Sequence, residues 1–373
     1  MSRTDRFTIT YQISAESGDL AEKITDRIRV EQTVEMPPET VPEQAASSFA
    51  EILSLQKQDE RIWNASISFP FSNVGDDITQ FLNVLYGNIS LLEVIKILDV
   101  DDSLFKKLFS GPVYGIDGLR KSLNAYDRPL SCTALKPIGL TTSDLAGLAY
   151  QFARGGIDII KDDHGLADQI TAPFKERVIS CVRAVRKGEQ ISGKKTHYFP
   201  NITTSPTKVL DRFRQAADLG ADGVLIAPQL TGLQAVRDIA NEKKLPVMAH
   251  PAFSGSYIMH QNYGISAGLY YGKLWRALGA DAIIFPNASG RFGFTQEICL
   301  RMHQQMTKPF CNFRKSFPTP AGGIHLKTVT SMKELYGNDT LFLIGGNLYQ
   351  QKEGIEAASK QFQQTLENSN EQI

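Results

Sequence analysis

Lys161-Asp162-Asp163-His164 sets four ionisable side chains in a row at the end of the apolar segment Asp158-Ile159-Ile160. Aspartate and histidine both ligate divalent metals, and an oxygen-rich set suits Mg2+. A lysine in the same run can serve as a base, or as a ligand once CO2 has turned its amine into a carbamate. Alone, such a run would equally be a solvated charged loop. Other groups with chemical potential also close short apolar segments: Lys136, Asn201, His250, Arg291 and the glycine pairs Gly322-Gly323 and Gly345-Gly346. A lysine buried in such a place has a depressed pKa and can act as acid or base. Paired glycines let backbone N–H groups approach a phosphate closely. An arginine offers a bidentate fork for a carboxylate.

What must position these groups is a repeating unit. Short apolar segments at Cys132–Pro137, Asp158–Asp163, His197–Ile202, Gly223–Pro228, Pro246–His250, Asp281–Pro286, Phe310–Phe313 and Leu341–Gly346 alternate with amphipathic stretches. One such stretch opens at Ser143-Asp144 and stops at Gly155-Gly156. Eight β/α units over about 240 residues is the size of a TIM (β/α)8 barrel, whose chemistry sits at the C-terminal strand ends. A doubly wound sheet would call for a Gly-rich phosphate loop after the first strand, and none is present. The N-terminal part reads differently. Phe7–Ile13 and Ala65–Phe69 alternate apolar and polar residues, and Ile28–Val34 does so in part. These predict a mainly antiparallel sheet in a smaller α+β domain. The predicted fold class is therefore α/β: an α+β domain over residues 1–125 and a barrel over residues 126–373.

Composition narrows the partners. Lys+Arg and Asp+Glu both number 40, so the formal net charge is zero and no nucleic-acid or membrane-surface field is built in. An anionic substrate must then be held by local groups. Cys132, Cys181, Cys299 and Cys311 have no metal-type spacing and read as reduced, mostly buried thiols. No apolar run has the length of a signal peptide or membrane span, which points to a cytoplasmic protein.

The same segments resemble the RuBisCO large-chain family. Gly155-Gly156-Ile157-Asp158-Ile159-Ile160-Lys161-Asp162-Asp163 is similar to its G-G-x-D-x-x-K-D-D segment. Cys132–Leu140 is similar to its C-T-x-K-P-K-x-G-L strand, with one extra residue before the lysine and one fewer after the proline. Gly111–Ile116, Ala321–His325, Gly345-Gly346 and Gly87-Asn88 also match, in order along most of the chain. The resemblance implies a carbamylated Lys161 that, with Asp163 and His164, holds one Mg2+. It implies Lys136 and His250 as catalytic groups and a phosphate held at Gly322-Gly323 and Gly345-Gly346. It further implies that Asn88 reaches a partner subunit's active site, so the chain forms a homodimer or higher homo-oligomer.

Departures cluster by role. His164 stands where the family has glutamate, and Gly290-Arg291 where it has Gly-Lys. Pro251, Ile284 and Ala321 replace the Arg, His and Ser that hold one of two phosphates. This excludes a CO2-fixing enzyme and predicts a substrate with one phosphate. The leading expectation is a metal-dependent decarboxylase of a mono-phosphorylated 3-keto sugar acid of the 3-oxo-isoapionate 4-phosphate type, with Arg291 holding the departing carboxylate. The alternative is an enolase or isomerase of a methylthio-pentulose phosphate in methionine salvage. A non-catalytic RuBisCO-like binding protein fits less well, because Lys136, Lys161, Asp163 and His250 are all retained.

Overall fold

The computed structural model describes residues 5–288 and 290–368, which form two compact units. The first comprises residues up to Ser110, with Ser254–Tyr270 and Phe310–Asn312. It is built on β1 (Arg6–Ser14), β2 (Glu51–Lys57), β3 (Ile62–Pro70) and β4 (Ile95–Val100). The sheet runs β4-β1-β3-β2 with antiparallel pairing, and the two-residue strand Gly264–Ile265 adds parallel to β4. Register explains its core. Phe7, Ile9 and Tyr11 pair with Phe69, Ile67 and Ala65, all buried, so one face of each strand is apolar.

Ile28–Val34 is not a strand. Helix Gly18–Glu31 takes its first four residues and a turn the rest; the helix is opened by Ser17, whose side chain accepts from the Leu20 N–H. Ala21, Thr25 and Ile28 recur at spacings of three and four and are buried, so the helical period outweighs the partial alternation. Strands β2 and β4 were not read from the sequence. β2 is mostly exposed, which removes the apolar alternation that would mark it.

The second unit is a closed cylinder. Its strands are β5 (Leu130–Leu135), β6 (Ile159–Asp162), β7 (His197–Phe199), β8 (Val224–Ile226), β9 (Val247–Ala249), β10 (Ala282–Pro286), β11 (Phe317–Ala321) and β12 (Leu341–Leu343). All pairings between them are parallel, in the order β7-β6-β5-β12-β11-β10-β9-β8. A parallel bridge between Asn201 and Leu225 joins the two ends. The seventh strand is Phe317–Ala321, not Phe310–Phe313. Pro318 and Pro320 lie inside it and disguised it, since proline donates no ladder hydrogen bond.

The boundary between units lies at Ser110/Gly111, not at 125/126. Helix Gly115–Leu123 belongs with the barrel because Ile116, Leu119 and Leu123 share a core with Leu130, Ala282, Phe317 and Leu341, the first residues of four strands. Asp281, buried just before β10, fastens the connection. Its carboxylate accepts from the N–H groups of Tyr114 (2.8 Å), Gly115 (2.7 Å) and Val247 (2.8 Å). Asp158 plays the same part before β6, held by Arg128 (2.6 and 2.7 Å) and by Ser131 of β5. Among the described residues, no helix is long and apolar enough to cross a membrane.

Candidate active site

Strand alternation sorts the ionisable run. Ile159 points into the barrel core, so Lys161 and Asp163 follow it on the inner side and Asp162 turns outward. Asp162 is completely buried between the barrel and helix Phe174–Ser192. It accepts from Tyr198 Oη (2.8 Å), Arg177 Nε (3.1 Å) and the Asn201 N–H (2.9 Å). Arg177 in turn donates to the carbonyls of Ala172 and Ala167, both at 2.6 Å. Asp162 is thus occupied in holding strand, helix and loop together.

The inner groups form the candidate site. Lys161 is buried, and its ammonium donates to the Asp162 carbonyl at 3.1 Å. Burial pushes its pKa below the ordinary lysine range, outweighing the nearby Cys132 and Asp163. Asp163 Oδ1 lies 3.1 Å from Lys136 Nζ, and its Oδ2 lies 3.5 Å from His164 Nδ1. Burial alone would raise the Asp163 pKa. The hydrogen bond from His164 and the ammonium groups of Lys161 and Lys136 prevail and hold it well below the carboxylate range.

Lys136 was expected to be the buried lysine. Its side chain is 36% exposed and paired to Asp163, so the deeply buried lysine of the site is Lys161. The loop after β6 is fixed by Asn201, whose Nδ2 donates to the His164 carbonyl at 2.9 Å and whose Oδ1 accepts from the Thr203 N–H. His164 is 48% exposed on its side chain, and its ring lies parallel to that of His250 at 4.6 Å between centroids. His250 Nδ1 accepts from the Ala252 N–H at 3.1 Å, which leaves any ring proton on Nε2. Burial, together with the Lys161 and His164 charges, pushes its pKa well below the ordinary histidine value.

Further groups close around these. Lys136 donates its backbone N–H to Tyr349 Oη (3.1 Å), which donates to the Ala134 carbonyl (2.8 Å). Tyr349 was not singled out from the sequence and carries no local signal there. Its helix, Gly346–Tyr349, is short and follows Gly345 directly. Lys136 Nζ lies 3.8 Å from where a Cβ on Gly345 would stand. Gly322 and Gly323 both adopt positive φ, +80° and +79°, a backbone that favours glycine. Their loop joins that of β12 through the Leu326 N–H to Asn347 Oδ1 at 3.1 Å.

Gly290 abuts this loop too, since a Cβ there would sit 2.5 Å from the Gly322 carbonyl oxygen. Arg291 is exposed, with its guanidinium 5.3 Å from the Phe292 ring centroid. Ile284 is 2% exposed inside the barrel core, and Ala321 packs against the same core. Asn88 lies in the first unit, where its amide donates to Glu31 (3.1 Å) and Glu35. His197 begins β7 at the opposite end of the barrel, buried, with Nε2 2.8 Å from Ser122 Oγ.

The donor set can be tested for a metal. Among the described residues, no three His, Cys, Asp or Glu side chains converge on one point. Asp163 and His164 supply one carboxylate and one imidazole, and both remain partly open to solvent. The third ligand would have to come from Lys161, whose depressed pKa favours the neutral amine that attacks CO2. With that carbamate the three side chains suffice for a divalent ion.

Residues 115–372 match the family model of the ribulose bisphosphate carboxylase large chain, catalytic domain. The chain belongs to the RuBisCO large-chain family. This RuBisCO-family chain is 36% identical to 5-methylthioribulose-1-phosphate isomerase of Rhodospirillum rubrum, over 94% of each chain. It is 35% identical to 2,3-diketo-5-methylthiopentyl-1-phosphate enolase of Bacillus velezensis, over 81% of this chain and 76% of that one. A crystal structure of a RuBisCO-like protein from Rhodopseudomonas palustris superposes with a TM-score of 0.88 and 32% identity, covering 99% of both chains. These relatives correct the decarboxylase reading: they are an isomerase and an enolase, not carbon–carbon lyases. The decarboxylase reading leaned on His164 and Arg291. One substituted ligand leaves enolate chemistry possible, and Arg291 lies exposed against Phe292, so neither residue outweighs similarity along the whole chain.

Proposed function

We propose that the chain is an enolase- or isomerase-type enzyme that moves a proton next to the carbonyl of a five-carbon sugar derivative carrying one phosphate and a methylthio group. The observation that carries this reading is the position of Lys136. Its ammonium stands 3.1 Å from Asp163 Oδ1 and 3.8 Å from where a Cβ on Gly345 would stand. From there it would reach both the carbonyl and the phosphate of a bound substrate. The N–H groups of Gly322, Gly323, Gly345 and Gly346 would hold that phosphate. Lys136 would deliver or remove the proton at the carbon beside the carbonyl, and neutral His250 would donate through Nε2–H.

Asp163, His164 and carbamylated Lys161 would hold a divalent metal ion. When bound, that ion would polarise the carbonyl and acidify its neighbouring C–H. The far end of the substrate would meet Ala321 and the apolar core behind it, in which Ile284 is buried. A second phosphate against these apolar side chains would cost on the order of several kcal/mol, whereas a methylthio group would not. Asn88 of the partner subunit would complete the site, making a homo-oligomer the working form.

The direct test is turnover of 5-methylthioribulose 1-phosphate and of 2,3-diketo-5-methylthiopentyl 1-phosphate, followed by 31P NMR. An isomer or enol product from one of them is expected. Inertness toward both, or preference for ribulose bisphosphate, would overturn the proposal.

A further inference from the structure

Between Asp163 and the open edge of the site, the ligand position after the Asp-Asp pair is an imidazole. We infer that His164 makes this site select a first-row transition ion over Mg2+, an inference that rests on the metal reading above. Mg2+ is a hard, strongly hydrated ion that prefers carboxylate, carbonyl and water oxygens. Imidazole nitrogen contributes little to it and much more to ions of the Mn2+-to-Zn2+ series. Replacing one carboxylate ligand by one imidazole also lowers the anionic charge of the set by one. That weakens the largely electrostatic hold on Mg2+ more than the partly covalent hold on a transition ion.

The structure places His164 for ligation. Asn201 pins its carbonyl at 2.9 Å, and the parallel His250 ring 4.6 Å away limits its rotation. Its side chain is 48% exposed, and its Nδ1 lies 3.5 Å from Asp163 Oδ2. Both donors thus reach one small region from consecutive residues. His250 is not available as a substitute through Nδ1, which the Ala252 N–H occupies. Among the described residues no further carboxylate joins Asp163 to restore an all-oxygen set.

The experiment uses full-length protein, stripped with a chelator and equilibrated with bicarbonate. Mn2+ binding is read from the electron paramagnetic resonance of the free ion, and Mg2+ binding from its competition with Mn2+. The ratio of Mn2+ to Mg2+ affinity is expected to be roughly tenfold or more larger in the native protein than in His164→Glu. Mn2+ is the weakest binder of the transition series, so it is the most demanding probe.

Equal ratios in the two proteins would overturn the inference and leave a metal site standing. Absence of binding of either ion to the native protein would instead overturn the metal reading itself, and the inference with it. Should His164→Glu fail to fold, the pulsed spectrum of Mn2+ on the native protein decides. Nitrogen hyperfine coupling from the imidazole, lost in His164→Gln, is expected, and its absence from the native spectrum would overturn the inference.

Discussion

Asp162→Asn and Asp163→Asn differ by one position and should have opposite consequences. Both keep the side-chain shape and remove one charge. At position 162 the charge is completely buried against Arg177, and the two carboxylate oxygens accept from three donors. The amide would turn an NH2 group toward Tyr198, Arg177 or the Asn201 N–H and leave the buried guanidinium with its carbonyl partners but no counter-charge. Breaking one side of such a pair costs about 3–5 kcal/mol. At about 2–4 °C per kcal/mol for a domain of this size, the melting temperature should fall by roughly 6–20 °C.

At position 163 the partner Lys136 is 36% exposed and the carboxylate 19% exposed, so solvent screens the pair. Its loss should change stability by less than about 1 kcal/mol. Turnover should instead fall by roughly 100-fold or more, because the carboxylate both orders Lys136 and is a proposed ligand. Thermal melts by circular dichroism, with kcat and KM on whichever methylthio-pentose phosphate is turned over, separate the two. Asp162→Asn melting with the native protein, or Asp163→Asn retaining native turnover, would refute this division of roles.

Acid should destabilise the protein through its buried histidines. Burial drives His303 down to about 4 despite Asp339 and a backbone bond that oppose it, and burial also lowers His197 and His250. The unfolded chain then binds more protons than the folded one, so stability is lost as pH falls from about 6.5 toward 4. His303→Gln should flatten the slope of melting temperature against pH over that window. Asp281→Ala removes the acceptor for three backbone N–H groups and should cost about 1–3 kcal/mol for each donor left buried and unpaired; a native urea midpoint would contradict this. Gly345→Ala would set a methyl 3.6 Å from Lys136 Cε. It should raise KM for a phosphorylated substrate about tenfold, and an unchanged KM would remove Gly345 from the phosphate site.

Much of the barrel was legible because parallel strands buried on both faces read as apolar runs, as Ile159-Ile160 and Ile283–Phe285 do. Phe317–Ala321 was not, because two of its five residues are proline, a residue that normally excludes a central strand. The apolar Phe310 nearby drew the assignment instead, although it packs in the other unit. At the site, Lys136, Asp163, His164 and His250 do converge, since each closes a strand at the same end of the cylinder. Their division of labour could not be read. Asp162 and Asp163 are the same residue type, and only strand alternation and the position of Arg177 on the next helix tell them apart. Tyr349, bonded to residues 213 and 215 positions away, is visible only in three dimensions.

The central claim is that this site moves a proton beside a carbonyl and leaves the carbon skeleton whole. Incubation with 5-methylthioribulose 1-phosphate in D2O, followed by mass spectrometry of product and recovered substrate, tests it most directly. An isomeric phosphate of unchanged carbon count, with deuterium from solvent at a carbon next to the carbonyl, is expected. Recovery of the substrate without deuterium and without isomer would contradict the account.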